Sequence, residues 1–286
     1  RSGAIWANSQ ITALIFFLIS LIFFTNWIKI KNTNNLDFNI FFQILFMSLA
    51  VYTRQLYALV FLYFVYVYYK KLKLKEFFLA SSIIFLFSLP GFFMVINFPV
   101  TLSTSFSNNF YNSVLVNASI IFFYMLPIYS FLFLNNKISL SFKNKKKVIS
   151  LIFLLIFALI LIHYFNYNFK MGGGFFLKLS IILFDNFYLF YLTSFAGLFF
   201  LMLISFEKID NLLLVLLLLF TFSSSSIFQK YFEPMFLIMF FTIFETKIVY
   251  KFFSSFKNIY FYYSYILIYL GVSIINDIFK KTKNLN

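Results

Sequence analysis

At 286 residues, with 63% hydrophobic and 11% charged side chains and a mean hydropathy of +0.93, the chain lacks the polar residues needed to coat a water-soluble surface. Its net charge of +15 does not point to nucleic acid, because the lysines fall in clusters between apolar runs, as positive loops flanking membrane helices do. The absence of cysteine excludes disulfides, thiolate metal sites and cysteine nucleophiles.

Runs of about 20 apolar residues recur, the length a helix rising 1.5 Å per residue needs to cross a hydrocarbon layer about 30 Å thick. Stretches such as 151–162 lack the strict alternation of a membrane barrel. The expected fold class is all-α, a polytopic transmembrane helix bundle with about 9–10 membrane segments, some of them short and broken, in a single domain over 1–286. Arg1 opens without an initiator Met or a signal-peptide pattern, so these residues are expected to be the C-terminal portion of a longer chain. The 50 Phe and 20 Tyr accompany enrichment in Lys, Asn and Ile, with Arg only at 1 and 54. A low-GC coding bias accounts for that pattern, so no single Phe carries a functional assignment.

The first span is expected over 10–28, with Trp27 as an interfacial anchor and Lys29 and Lys31 beyond it. The run 38–69 is too long for one crossing and is interrupted by Thr53-Arg54-Gln55. A hairpin of two short helices with Arg54 at its tip fits better than a buried Arg, which costs at least about 2.5–3.5 kcal/mol near mid-bilayer. Spans follow over 77–97, with a kink expected at Pro90-Gly91, then over 113–134 and 148–164, and between them lie an uncharged loop at 99–112 and the basic residues Lys137 to Lys147. The segment 175–206 divides at Asp185-Asn186 into a short interfacial helix and a span over 187–204. After 211–222 comes the polar break Ser223-Ser224-Ser225-Ser226-Ile227-Phe228-Gln229-Lys230-Tyr231-Phe232-Glu233-Pro234. Pro234 lacks an N–H and disfavours the helical region for Glu233, so one helix is expected to stop before it and a new one, over 235–249, to begin at it. A last span covers 259–275.

Alternation of these spans gathers 15 of the 23 basic residues on one face, among them Lys71, Lys146, Lys208 and Lys247, which makes that face cytoplasmic. Arg54, the 99–112 loop, the segment His163 to Lys178 and the Lys230 break collect on the other, as does the basic tail Lys280 to Lys283, so that either one hairpin is miscounted or the tail is an exception to the rule.

The candidate chemistry sits on that outer face. Arg54 serves either as a bidentate clamp for phosphate or as a helix-end residue reaching the interface. Lys230 and Glu233 form an i, i+3 pair that either neutralises itself or uses Lys230 as a phosphate or carboxylate ligand, with Glu233 orienting it and Tyr231 beside it. His163 is the single histidine and reads as an interfacial side chain, so no metal site is expected. Gly172-Gly173-Gly174 is followed by no Lys-Ser or Lys-Thr and reads as a flexible turn or a close approach to a ligand. Asp185 either lines the outer cavity or breaks a helix at the interface.

The order apolar span, polar break, then Lys230-Tyr231-Phe232-Glu233-Pro234 opening another apolar span resembles a late element of the GT-C superfamily of polyprenyl-phosphosugar-dependent glycosyltransferases, including the family 39 protein mannosyltransferase and aminoarabinose transferase groups. The split hairpin Leu49-Ala50-Val51-Tyr52-Thr53-Arg54-Gln55-Leu56-Tyr57-Ala58 is similar to another feature of that superfamily, a short helix pair with a basic residue at its turn. These motifs are short, although the order of spans agrees over most of the chain. The resemblance implies transfer of a sugar from an isoprenoid-phosphate donor to a glycan, lipid or protein acceptor at the outer face of a bacterial inner membrane. It implies Arg54, Lys230, Tyr231 and Glu233 as substrate-binding residues. Such enzymes carry an acidic catalytic motif after their first transmembrane helix, and no acidic pair precedes Asp37, so the catalytic residue is expected upstream of Arg1. No cofactor is assigned; the expected partners are membrane lipid, the lipid-phosphate-linked donor and the acceptor. A transporter or flippase of a lipid-linked saccharide and a non-enzymatic membrane subunit are the rival readings.

The sidedness is testable in this cysteine-free chain. Cysteines placed at Lys71 or Lys146 should resist an impermeant thiol reagent added outside, and one at Lys230 should react. Outside labelling at Lys146 would overturn the assignment.

Overall fold

The computed structural model describes residues 2–30, 35–97, 110–134, 145–168, 172–221 and 227–283, with no strand among them. Twelve helices appear in this set: α1 Ser2–Lys29, α2 Phe38–Thr53, α3 Tyr57–Lys71, α4 Leu74–Asn97, α5 Phe110–Leu134, α6 Lys145–His163, α7 Gly174–Phe184, α8 Tyr188–Glu207, α9 Ile209–Thr221, α10 Gln229–Thr242, α11 Lys247–Phe253 and α12 Phe256–Lys283. The fold is all-α, as expected, and four helices, α1, α4, α5 and α8, contain stretches long and apolar enough to cross a membrane. The uncharged 99–112 loop lies largely, and the Ser-rich stretch 223–226 wholly, outside the described residues.

Helix α5 is the axis of the second half. It packs against each of α6 to α12, and 72% of its apolar window is buried, against 6% for that of α4 at the periphery. Polar side chains on α5 are spent on neighbours. Asn117 donates to the Leu219 carbonyl in the last turn of α9 at 3.1 Å, Ser119 shares a hydrogen bond with Thr193 at 3.2 Å, and Ser194 of α8 donates to the Leu115 carbonyl at 2.9 Å. Interhelical bonds of this kind, together with small residues that admit close backbones, replace a hydrophobic driving force that lipid does not supply. Closest of all is Gly197, where an added Cβ would lie 2.1 Å from the Ala118 carbonyl oxygen.

The first half is built on α1, which packs against α2 along most of its length. Gln43 of α2 donates to Ser20 at 3.1 Å and accepts from the Tyr68 hydroxyl, a closed buried set that pins α1, α2 and α3. Trp27 does not lie at the surface as an interfacial anchor: it is 1% exposed, with Tyr68 against one edge and the Lys71 ammonium 5.9 Å from its ring. The halves join where α3 meets α9 and α1 meets α10. At the first junction Asp210 accepts from Lys70 at 2.9 Å and from Tyr66 at 3.0 Å, while Lys208 lies 3.7 Å from Asp210 and 2.5 Å from Glu245. Lys70, Lys208 and Lys247 thus come to one end of the bundle, as alternation requires; the Lys137 to Lys143 part of the basic loop lies outside the described residues.

Two expectations about helix bounds need correction. Helix α10 begins at Gln229, not at Pro234, which is its sixth residue. Pro234 lies just past the four N–H groups that have no partner within the helix, so it forfeits the one bond to the carbonyl of residue 230 while α10 continues through it. The run 235–249 is not one span either, because α10 ends at Thr242 and Thr246 caps α11 by accepting from the Val249 N–H at 3.3 Å. Asn211 anchors the intervening turn, donating to the Glu245 carbonyl at 3.0 Å.

Because Gly197 touches backbone rather than a movable side chain, Gly197→Val should destabilise the bundle by overpacking, by about 1–3 kcal/mol or more. Thermal unfolding in detergent measures this; an unchanged midpoint would refute the close contact.

Candidate functional site

The end of the bundle opposite the lysine cluster is where helices stop short. Helices α2 and α3 have 16 and 15 residues, about 24 and 22 Å. Their turn carries Arg54 in extended conformation, with its N–H on the Ala50 carbonyl at 2.8 Å. Each helix is shorter than a layer about 30 Å thick, and three residues past Arg54 the Tyr57 ring packs on Phe17 of α1 at 5.0 Å. Arg54 Nε and Nη2 are shielded from solvent. The sequence reading of a hairpin with a basic tip therefore matches the structure.

A second such place is the polar break. From His163 the chain passes through 164–168 and enters the bundle at Gly172-Gly173-Gly174, all with φ between 79° and 87°. That left-handed backbone is open to glycine and strained for other residues. The loop is not a flexible turn: an added Cβ on Gly172 would meet the Ile227 carbonyl oxygen at 2.3 Å, and the Gly173 N–H donates to that same oxygen at 2.8 Å. Ile227 in turn gives its N–H to the buried Tyr167 hydroxyl at 2.8 Å. The close approach that the glycines permit is to the chain's own polar break.

Helix α7 was expected at the interface, and here too the structure differs. Gly174 is buried beside Ile120, ten residues into α5, or about 15 Å along its axis. From there α7 leads back to Asp185, which caps it in left-handed conformation (φ 50°) with an exposed side chain. Asp185 thus breaks a helix, and His163 is an exposed residue edge-on to Tyr164 with ring centroids 5.0 Å apart.

Helix α10 starts beside the start of α7. Gln229 ties the two together, its Oε1 accepting the Phe175 N–H at 2.9 Å and its Nε2 donating to the Tyr124 hydroxyl at 2.8 Å. Glu233 lies one turn further along α10, and Tyr269 of α12 stands edge-on to Phe175 with ring centroids 6.3 Å apart. The N-cap residues Gly173 and Phe228 make no side-chain cap of their own, and with Gln229 supplying the acceptor for α7 two positive helix ends meet at one polar cluster. Lys230 and Tyr231 belong to the first turn of α10, and their description stops at the backbone.

Of the residues singled out from sequence, Lys230, Tyr231 and Glu233 therefore share a helix start with the Gly-rich loop. Arg54 sits on a different helix pair, with α1 packed against both α2 and α10. Gln229, Tyr124, Tyr167 and Tyr269 carry the cluster without having been singled out. Gln229 lay within the quoted break, while the tyrosines were hidden among 20 of their kind. Among the described residues no group of His, Asp or Glu is arranged to hold a metal ion.

Tyr167→Phe should leave the buried Ile227 N–H without a partner and cost about 1–3 kcal/mol, and Gly172→Ala should cost more because it adds both strain and a backbone clash. Unfolding midpoints of the two variants check the order; equal stability to the parent chain would show that the loop is not docked.

Comparison with known proteins finds no family model, no curated protein and no solved structure that matches this chain.

Proposed function

We propose that the chain is a membrane glycosyltransferase that moves a sugar from an isoprenoid-phosphate donor to a glycan, lipid or protein acceptor. It would be a multi-pass protein of a bacterial inner membrane, working at the face opposite its lysine-rich end. The observation that carries this reading is the meeting of the α7 and α10 N-termini within the bundle, joined through Gln229. Helix N-termini present N–H donors and positive dipole ends to an anion, and broken helices at membrane depth are where membrane proteins build such sites. Lys230, which falls in the first turn of α10, is assigned as the phosphate ligand and Glu233, on the same helix, as its orienting carboxylate. Arg54 at the α2–α3 turn is the second phosphate ligand, and the isoprenoid tail lies between helices.

The broken helices also favour a second reading, a transporter or flippase of a lipid-linked saccharide, since a site between half-helices serves alternating access equally well. The two readings part on product. A transferase in vesicles converts donor to free isoprenoid phosphate and glycosylated acceptor, whereas a flippase moves the intact donor to the other leaflet.

Lys230→Ala should remove a charge-assisted contact worth about 1.5–3 kcal/mol and slow transfer by roughly 10- to 150-fold. Lys230→Arg should recover part of this, with the charge kept and the geometry changed. If Lys230 served only to neutralise Glu233, adding Glu233→Gln would rescue Lys230→Ala by removing the unpaired carboxylate; donor binding predicts no rescue. Full transfer by a normally expressed Lys230→Ala protein would sink the assignment.

A further inference from the structure

At the lysine-rich end, well away from the proposed donor site, a groove of about 530 Å³ opens between the end of α8 and the α10–α11 turn. That volume is within the range of sites for small organic ligands. Its floor is apolar, Phe240 and Phe244 being 1% and 9% exposed, and Phe241, 46% exposed, forms a wall. Its mouth carries Glu207, Lys208, Glu245 and Lys247.

The arrangement of these charges is unusual for an inner-face lysine cluster because it sums to zero and alternates in sign. Glu207 accepts the Lys247 N–H at 2.6 Å, which fixes its carboxylate at the start of α11. Glu245, two residues earlier, is paired with Lys208 at 2.5 Å, but its side chain is 71% exposed and keeps acceptor positions open. An ion pair this exposed contributes little by itself. Two cations and two carboxylates at the mouth of a phenylalanine-floored groove match a ligand carrying a phosphate and an ammonium a few bonds apart, with acyl chains attached.

We propose that this groove binds a phosphatidylethanolamine molecule of the adjoining leaflet, with the phosphate on Lys208 and Lys247, the primary ammonium on Glu207 and Glu245, and an acyl chain along Phe240, Phe241 and Phe244. Only a headgroup that keeps N–H donors satisfies both carboxylates. A phosphatidylcholine ammonium has none to give, and a phosphatidylglycerol headgroup brings no positive charge to them.

The test uses the unmodified chain in nanodiscs containing phosphatidylethanolamine, its mono- and dimethyl derivatives, phosphatidylcholine and phosphatidylglycerol in equal amounts, followed by mass spectrometry of the lipid retained after detergent extraction. Phosphatidylethanolamine should be retained roughly tenfold over phosphatidylcholine, as expected for loss of a charge-assisted hydrogen bond. Retention should fall stepwise with each methyl group. Glu245→Gln should erase the discrimination while leaving the chain folded, because that side chain is largely exposed. Lys247→Gln should lower retention of all the phospholipids together. Equal retention across the methyl series, preference for phosphatidylglycerol, no retained lipid, or undiminished discrimination in Glu245→Gln would each overturn the proposal.

Discussion

A helix that ends inside an apolar bundle leaves backbone N–H and C=O groups that neither lipid nor bulk water satisfies, and each such group costs several kcal/mol. The polar break of this protein exists under that constraint. Gly173, Ile227 and Phe175 give their N–H groups to the Ile227 carbonyl, the Tyr167 hydroxyl and the Gln229 side chain in turn. Gly172 is needed because the loop comes within hydrogen-bonding distance of another backbone, where a Cβ would collide with the Ile227 carbonyl oxygen, whereas a Cβ on Gly173 or Gly174 would meet the Leu177 or Ile120 side chain. The polar cluster around Tyr124 and Glu233 is thus a by-product of satisfying two helix starts at one depth. Its positive ends follow from the same geometry.

The axis α5 sets where that depth is. Its polar residues Asn112, Asn117 and Ser119 are all buried, and each binds a backbone or hydroxyl on a neighbouring element. Asn117 does for the end of α9 what Gln229 does for the start of α7, supplying a side-chain partner to a terminal backbone group. Asn112 repeats this at the top of α5, exchanging two hydrogen bonds with the Asn166 backbone at 2.7 and 2.9 Å. A single buried helix therefore carries side-chain partners for the irregular segments packed around it.

Much of the architecture was legible because charge interrupts apolar runs. Arg54 in the middle of 38–69 and Asp185-Asn186 in 175–206 each mark a place where one long helix would bury a charge, and the structure breaks there. Proline misled the reading at 234, since its cost depends on position within the helix, which the sequence does not state. The depth of α7 was hidden for a different reason. It follows from contacts of Gly172 and Gly174 with residues more than 50 positions away, and the residue types alone fit an exposed turn equally well. Tyr124, Tyr167 and Tyr269 gave no signal, because compositional enrichment in tyrosine removes the contrast that makes one tyrosine informative.

The tie between Lys70 and Asp210 spans 140 residues, and that separation has a temporal meaning. At ordinary synthesis rates the carboxylate emerges on the order of ten seconds after the ammonium it will hold. During that interval the α2–α3 hairpin rests on α1, through Gln43, Ser20 and Tyr68, and on α4, which packs against both of its helices. The early hairpin thus has its buried polar partners in place while its packing on α9 and its charged rim are still to come. The Asp210 contact then acts as a late fastener on this nascent assembly.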